Sequence, residues 1–172
     1  MAQPSPGRPA VFMDRDGCLV EEMGYLNHPS RVRILPRPAA AVSRLNAAGI
    51  PAIVATNQAG IARGYFSAET LREVNAEVER QLRREGAHLA AAEQGLDLTR
   101  SVMVGDKPSD VAAGQAAGAA GVLVLTGYGR GEWEYLRHEW TVKPDHVAED
   151  LFEAVEWALG RLETEKGAEC SL

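Results

Sequence analysis

Cysteine is almost absent from this chain: Cys18 and Cys170 are the only two, and the second lies in the terminal stretch. Two thiols so far apart build neither a disulfide framework nor a zinc knuckle, which leaves a reducing cytoplasm as the expected setting. Basic clusters are missing as well. Eighteen Lys and Arg residues stand against 24 Asp and Glu, a net charge of −6, and basic pieces are as short as Arg83-Arg84. Without a cationic patch a nucleic-acid partner is not expected. No apolar run approaches a membrane span and no signal-like segment opens the chain, so no membrane partner is expected either. Internal repeats and linkers are also lacking. The 172 residues, 45% hydrophobic and 24% charged, suffice for one domain with a substantial core.

What the chain does have is an apolar run, Pro9 to Met13, that ends in Asp14-Arg15-Asp16-Gly17. A short apolar run bounded by turn signals reads as a buried strand of a parallel sheet. Ligands bind at the carboxyl edge of such sheets. Strand periodicity sends the side chains of Asp14 and Asp16 the same way, and Gly17 permits a sharp turn beside them. Two acids at a strand tip suit a hard divalent cation, Mg²⁺ foremost. A Ca²⁺ loop of the EF-hand kind fits poorly, because its twelfth position, which calls for Glu, is Tyr25.

Residues 1–8 hold Pro4, Pro6 and Gly7 without an apolar pattern and read as a tail. Residues 17–36 read as a long irregular loop over the site, with Tyr25, Asn27 and His28 as candidate substrate contacts. Pro38 and Gly49 bracket an amphipathic helix with Val42 and Leu45 inward. A second strand, 51–55, ends in Thr56-Asn57-Gln58, and Gly60 and Gly64 flank a flexible loop carrying Arg63. Ser67 caps a helix whose inward face is Leu71, Val74, Val78 and Leu82. Leu89, Ala92 and Leu96 continue the helical spacing. A third strand, 101–105, ends in Asp106-Lys107, followed by a helix from Pro108. A fourth strand, 120–125, ends in Thr126-Gly127. A short strand at 145–147 and a helix over 151–162 close the domain, and 163–172 read as a second tail. Strand and helix alternation of this kind predicts an α/β fold, a parallel sheet with helices on both faces, over residues 9–162.

Three strand ends thus carry polar groups in an otherwise apolar pattern, and their chemistry suits phosphoryl transfer. Mg²⁺ between Asp14 and Asp106 would let an anionic nucleophile approach an anionic ester. Asp14 would attack phosphorus, giving an aspartyl-phosphate, and Asp16 would serve as general acid and base. Thr56 and Asn57 would hydrogen-bond the phosphate, and Lys107 would supply positive charge.

The combination of Asp14-Arg15-Asp16-Gly17, Thr56-Asn57-Gln58 and Val104-Gly105-Asp106-Lys107-Pro108-Ser109-Asp110 resembles the haloacid dehalogenase-like (HAD) phosphatase superfamily. Gly24-Tyr25-Leu26 and the run from Gly60 to Phe66 are similar to its heptose bisphosphate phosphatase branch, which has histidinol phosphatases as relatives. The resemblance implies a Rossmann-like HAD fold without a large cap domain and Mg²⁺ at Asp14, the Asp16 backbone and Asp106. It also implies Asp14 as nucleophile, Asp16 as acid and base, substrate contact by Arg63, and a small phosphorylated sugar as substrate of a monomer or dimer. One segment departs from the pattern. The family carries a further strand, a Cys/His zinc loop and a phosphate-clamping lysine ahead of the Val104 strand, whereas here 84–89 runs directly into 90–96. No zinc is therefore expected, the sheet is expected to lack an edge strand, and Lys107 or Arg63 is left to replace the missing cation. Loss of that lysine also leaves open a catalytically impaired binding protein that keeps the fold. A response-regulator-like phosphoacceptor is the third reading, though its acceptor would sit on a middle strand.

Overall fold

The computed structural model describes residues 7–91 and 95–169. Five strands form one parallel sheet in the order β2-β1-β3-β4-β5: β1 (Val11–Met13), β2 (Ala52–Val54), β3 (Val102–Gly105), β4 (Ala120–Val124) and β5 (His146–Ala148). The register aligns Met13 with Val54 on one side and with Val104 on the other, so the three polar strand ends emerge at one edge. β3 and β4 are buried along their whole length, as strands covered on both faces must be. Alternation then divides the core. Val102, Val104, Val122 and Val124 join Val42 and Leu45 of α1 (Pro38–Ala47) and Ala154 and Val155 of α6 (Leu151–Glu169). On the opposite face Met103 packs against Gly114 of α4 (Pro108–Ala116), where a Cβ would come within 2.5 Å of the Met103 Cβ.

Local chemistry explains most boundaries. Pro38 sits in the first turn of α1, where a missing N–H costs nothing, and Gly49 follows its end at φ +69°. α2 (Ala59–Ala62) is a single turn, and α3 (Ala68–Arg84) begins where the Ser67 Oγ accepts from the Thr70 N–H. Val74, Val78 and Leu82 form its buried stripe, with Leu71 only partly covered. After β4 come one turn, α5 (Gly129–Gly131), and irregular helical turns to Glu139, with the Trp133 ring centred 6.0 Å from that of Trp140, which follows them.

Four expectations need correction. The Gly60–Gly64 loop is largely the α2 turn, because four residues between Gln58 and Arg63 are enough to close Arg63 N–H onto the Ala59 carbonyl. Leu89 and Leu96 do not continue α3: Gly86, at φ +78°, ends it, the chain runs extended, and Ala90 donates to the Ala52 carbonyl at 2.7 Å. Ala92 lies outside the described residues. Leu96 instead bridges Arg8 in parallel, so order begins at Gly7 and Arg8 within the expected tail. At the other end α6 continues to Glu169, past the expected helix end at Leu162 and into the expected second tail, through a stretch that holds the helix formers Glu and Lys. Residues 1–6 and 170–172 lie outside the described residues. β2 stands at the sheet edge, where its Ala52 carbonyl accepts from the Ala90 N–H of the 87–91 segment.

Ser101 ties this scaffold together. Fully buried, its Oγ accepts from the Ala10 N–H at 3.0 Å and donates to the Asp97 carbonyl at 2.6 Å, coupling the entries of β1 and β3. Ser101→Ala would leave a buried donor and acceptor unpaired, a cost of about 1–3 kcal/mol. Urea unfolding should show a lower midpoint at an unchanged slope. An unchanged midpoint would mean that neither bond contributes.

Candidate active site

β1 hands the chain to the site through Asp14, whose N–H donates to the Val104 carbonyl at 2.9 Å. Its Oδ1 accepts from the Arg15 N–H at 2.8 Å, which fixes the carboxylate against the strand tip. Arg15 is almost wholly buried. Its Nε and a terminal nitrogen donate to Asp16 Oδ2 at 3.2 and 2.7 Å, and its other terminal nitrogen donates to Asn75 Oδ1 of α3 at 2.9 Å. Gln58 Nε2 donates to the same Asp16 oxygen at 3.2 Å and to Thr56 Oγ1 at 2.7 Å. One Asp16 oxygen is thus held by three donors, while Oδ1 is buried without a partner.

Asp106, fully buried at the tip of β3, lies between two glycines. A Cβ on Gly17 or on Gly127 would come within 2.1 Å of its Oδ2, and both residues have positive φ. Side chains there are excluded twice, by space and by backbone conformation. Thr126 Oγ1 donates to the Gly17 carbonyl at 2.6 Å, and the Tyr128 N–H donates to Asp106 Oδ2 at 2.8 Å. Asp106 Oδ1 has no partner. Asp110, in the first turn of α4, accepts from the Lys107 N–H at 3.1 Å. Oxygen atoms of Asp14, Asp106 and Asp110 lie within 4.8 Å of one another, the spacing a single cation would need. The Asp16 side chain is not part of that trio.

A cavity of about 510 Å³ opens over these groups, lined by Asp14, Asp16, Thr56, Asn57, Lys107 and Asp110 among others. Tyr25 and Gln58 also line it. Arg63, expected at the substrate, instead donates to the Tyr25 hydroxyl at 2.5 Å, and Tyr25 meets Tyr65 edge to face. His28 caps the turn at Pro29–Arg31, and Asn27 accepts from Arg31, so both serve the loop locally. Sequence reasoning passed over Asp110 as a site residue, because an Asp in the first turn of a helix reads as ordinary capping. Its place four residues after Asp106 was the available signal.

Electrostatics follow from this crowding. Burial foremost, then repulsion from Asp110, with Asp106 and Asp16 adding to it, pushes the Asp14 carboxyl up to about 7 despite the Arg15 N–H. Burial likewise raises Asp106 to about 6, against the Tyr128 N–H and the Lys107 charge. Asp110 is raised by burial too. Burial works to lower Lys107, yet Asp106, Glu22 and Asp14 together leave it raised. Three carboxylates that resist ionisation together, and a buried Asp106 oxygen with nothing to bind, fit an oxygen-ligated divalent cation.

The chain is similar to known phosphatases. A family model described as HAD-hydrolase-like matches residues 80–154. The D-glycero-D-manno-heptose-1,7-bisphosphate 7-phosphatase of Thermosynechococcus vestitus is 36% identical, the match covering 87% of this chain and 95% of that one. Its alignment spans 187 positions, more than this chain's 172 residues, so it opens gaps in this sequence. The corresponding enzyme of Mesorhizobium japonicum is 34% identical over 67% of this chain and 68% of its own. Among solved structures, the D,D-heptose 1,7-bisphosphate phosphatase of B. bronchiseptica, complexed with magnesium and phosphate, superposes with a TM-score of 0.77 at 27% identity. That match covers 88% of this chain and 98% of that one. With the strand-tip carboxylates in the arrangement described and a 36% identical relative matched over 95% of its length, the chain belongs to the heptose bisphosphate phosphatase branch of the HAD phosphatases and is a phosphoric monoester hydrolase.

Proposed function

We propose that this enzyme is a Mg²⁺-dependent phosphatase of a small phosphorylated sugar, heptose bisphosphate-like, working through an aspartyl-phosphate on Asp14. The observation that carries the reading is the trio of Asp14, Asp106 and Asp110, converging within 4.8 Å with one buried oxygen unpartnered. Asp14, Asp106 and Asp110 are the side chains that would hold the metal, with the Asp16 backbone as a further donor. The metal would supply charge neutralisation for nucleophile and phosphate alike. Asp14 attacks phosphorus as the ester oxygen leaves. Asp16 gives that oxygen its proton and then takes one from the water that hydrolyses the aspartyl-phosphate, releasing inorganic phosphate. Its unpartnered Oδ1 is the oxygen free to carry the proton, since Arg15 and Gln58 occupy the other. Thr56 and Asn57 hydrogen-bond the phosphoryl oxygens. Lys107 stands in as the cation on them, whereas Arg63, turned onto Tyr25, acts at the rim. The magnesium and phosphate of the B. bronchiseptica structure support this reading, as does a cavity sized for a small metabolite. No helix among the described residues is long and apolar enough to cross a membrane, and a cytoplasmic setting is part of the proposal.

Phosphate release from sugar mono- and bisphosphates tests the assignment. Asp14→Asn should abolish release, and Lys107→Ala should slow it by about a hundredfold, the scale of losing one stabilising group in such a site. An unchanged Lys107→Ala rate would remove Lys107 from this role. Folded wild-type protein that binds Mg²⁺ but releases nothing above the Asp14→Asn control would favour a binding protein instead.

The raised carboxyls also predict a pH dependence. An Asp with a raised folded pKa favours its protonated form in the fold, so its contribution to stability is complete below its unfolded pKa, near 3.8. That contribution is lost as pH rises through about 6 for Asp106 and about 7 for Asp14. Without Mg²⁺ the melting temperature should therefore fall between about pH 4 and pH 7, more steeply than in Asp14→Asn. Saturating Mg²⁺ at a hundred times its dissociation constant should return about 2.7 kcal/mol at pH 7. Equal slopes in the two proteins, or an Asp106→Asn variant stabilised as much by Mg²⁺, would contradict this.

A further inference from the structure

Glu22 stands in the loop after β1, where no motif marks it, yet its side chain is only 12% exposed and lines the main cavity. Its Oε2 lies 3.5 Å from Lys107 Nζ, and its Oε1 accepts from the Gly24 N–H at 2.6 Å. The loop itself is pinned: Glu21 N–H donates to the Arg33 carbonyl and Val20 bridges Ile34. On the other side, Lys107 Nζ sits 4.5 Å from the centre of the Tyr128 ring. Tyr128 is anchored by its N–H to Asp106, and the Lys107 backbone by its N–H to Asp110. The ammonium therefore rests between a fixed carboxylate and a fixed aromatic face, each supplied by a different segment.

We propose that Glu22 is the positioning residue of Lys107: it holds the ammonium over the cavity and, by partly neutralising it, limits how tightly phosphate is retained. The proposal rests on Lys107 being the phosphate cation. A flexible lysine in a site crowded with acids would otherwise fold down onto the nearest carboxylate, and Asp106 and Asp14 both attract it. Glu22 offers a competing partner at the cavity wall. When a phosphoryl group enters, the ammonium is already placed, and the entering oxygen shares it with Glu22 rather than displacing it from the catalytic acids. After hydrolysis the same carboxylate weakens the hold on inorganic phosphate and favours release of product.

The two effects separate experimentally. Calorimetric titration with inorganic phosphate in saturating Mg²⁺ reads the charge effect, and kcat reads the placement. Glu22→Gln removes the charge and should tighten phosphate binding by about fivefold, the scale of deleting one charge a few ångströms from an anion in a partly hydrated site. Its kcat should fall by about tenfold. Glu22→Asp keeps the charge but shortens the reach, so kcat falls while phosphate affinity stays closer to wild type, and it carries the test if Glu22→Gln does not fold. In a Lys107→Met background, adding Glu22→Gln should change kcat no further, the coupling expected of a residue that acts through another. Melting temperatures of every variant separate these effects from loss of fold. Glu22→Gln with wild-type phosphate affinity and kcat, or with the same kcat loss in the Lys107→Met background, overturns the proposal while leaving Lys107 in place. Lys107→Met with wild-type affinity and kcat overturns the underlying assignment of Lys107 instead.

Discussion

Placing several carboxylates side by side, at the partly buried floor of one cavity, is the constraint that the rest of this structure serves. Charged groups prefer water, and a buried carboxylate without compensation costs several kcal/mol or else takes up a proton. Asp14, Asp106 and Asp110 come from two strand tips and a helix start, and the sheet register brings them to one edge with no freedom to spread apart. Gly17 and Gly127 close over Asp106 because no other residue would leave room for its oxygen. The scaffold accepts this arrangement because the strands behind it are continuous hydrophobic core. That core contributes the stability the site consumes.

The compensation within the chain is partial and uneven. Asp16 receives it most fully, from the Arg15 guanidinium and from Gln58, and Arg15 is itself steadied by Asn75 of α3. This chain of contacts links the wall of the site to a helix that supplies no group to the reaction. Asp106 receives one N–H and the neighbouring Lys107 charge, and Asp14 receives one N–H. Asp110 receives only the N–H and the charge of Lys107, so all three carboxylates whose oxygens converge are weakly compensated. Compensation is therefore poorest at the point where a cation would be most effective.

Much of this was legible in the chain because the parallel-sheet rule is local: an apolar run that stops at a polar residue marks a strand tip, and strand tips face the site. That rule places Asp14, Asp16, Thr56, Asn57 and Asp106 at one edge of the sheet, and the register brings them there. Asp110 belongs to the site although its position in the first turn of a helix gives it an ordinary structural role as well. Glu22 was invisible for a different reason, since it sits in a stretch without periodicity and touches Lys107 only through the tertiary path of the loop. Arg63 shows the converse. The two flanking glycines suggested a flexible loop and the family resemblance implied substrate contact, but a neighbouring phenol, Tyr25, accepts from Arg63 at the rim. The apolar spacing of Leu89 and Leu96 suggested a helix, yet both residues are satisfied by packing or pairing in extended chain, where spacing alone does not decide.

The charge balance of the cavity sets what can enter it. Asp14, Asp16, Glu22 and Asp110 line it beside a single lysine, and the Asp106 carboxylate lies directly beneath. A phosphate monoester is close to a dianion at neutral pH, and an acidic cavity of this kind repels it. Lys107 cannot reverse that field alone, because Glu22 already shares its charge. On the proposed function, a divalent cation at the carboxylate trio would make the cavity attractive to phosphate, so metal binding would precede or accompany substrate binding. That ordering would let a chain of net negative charge act on a negative substrate. Positive charge would then be confined to the metal and Lys107, which is where the proposed attack by Asp14 needs phosphorus to be held.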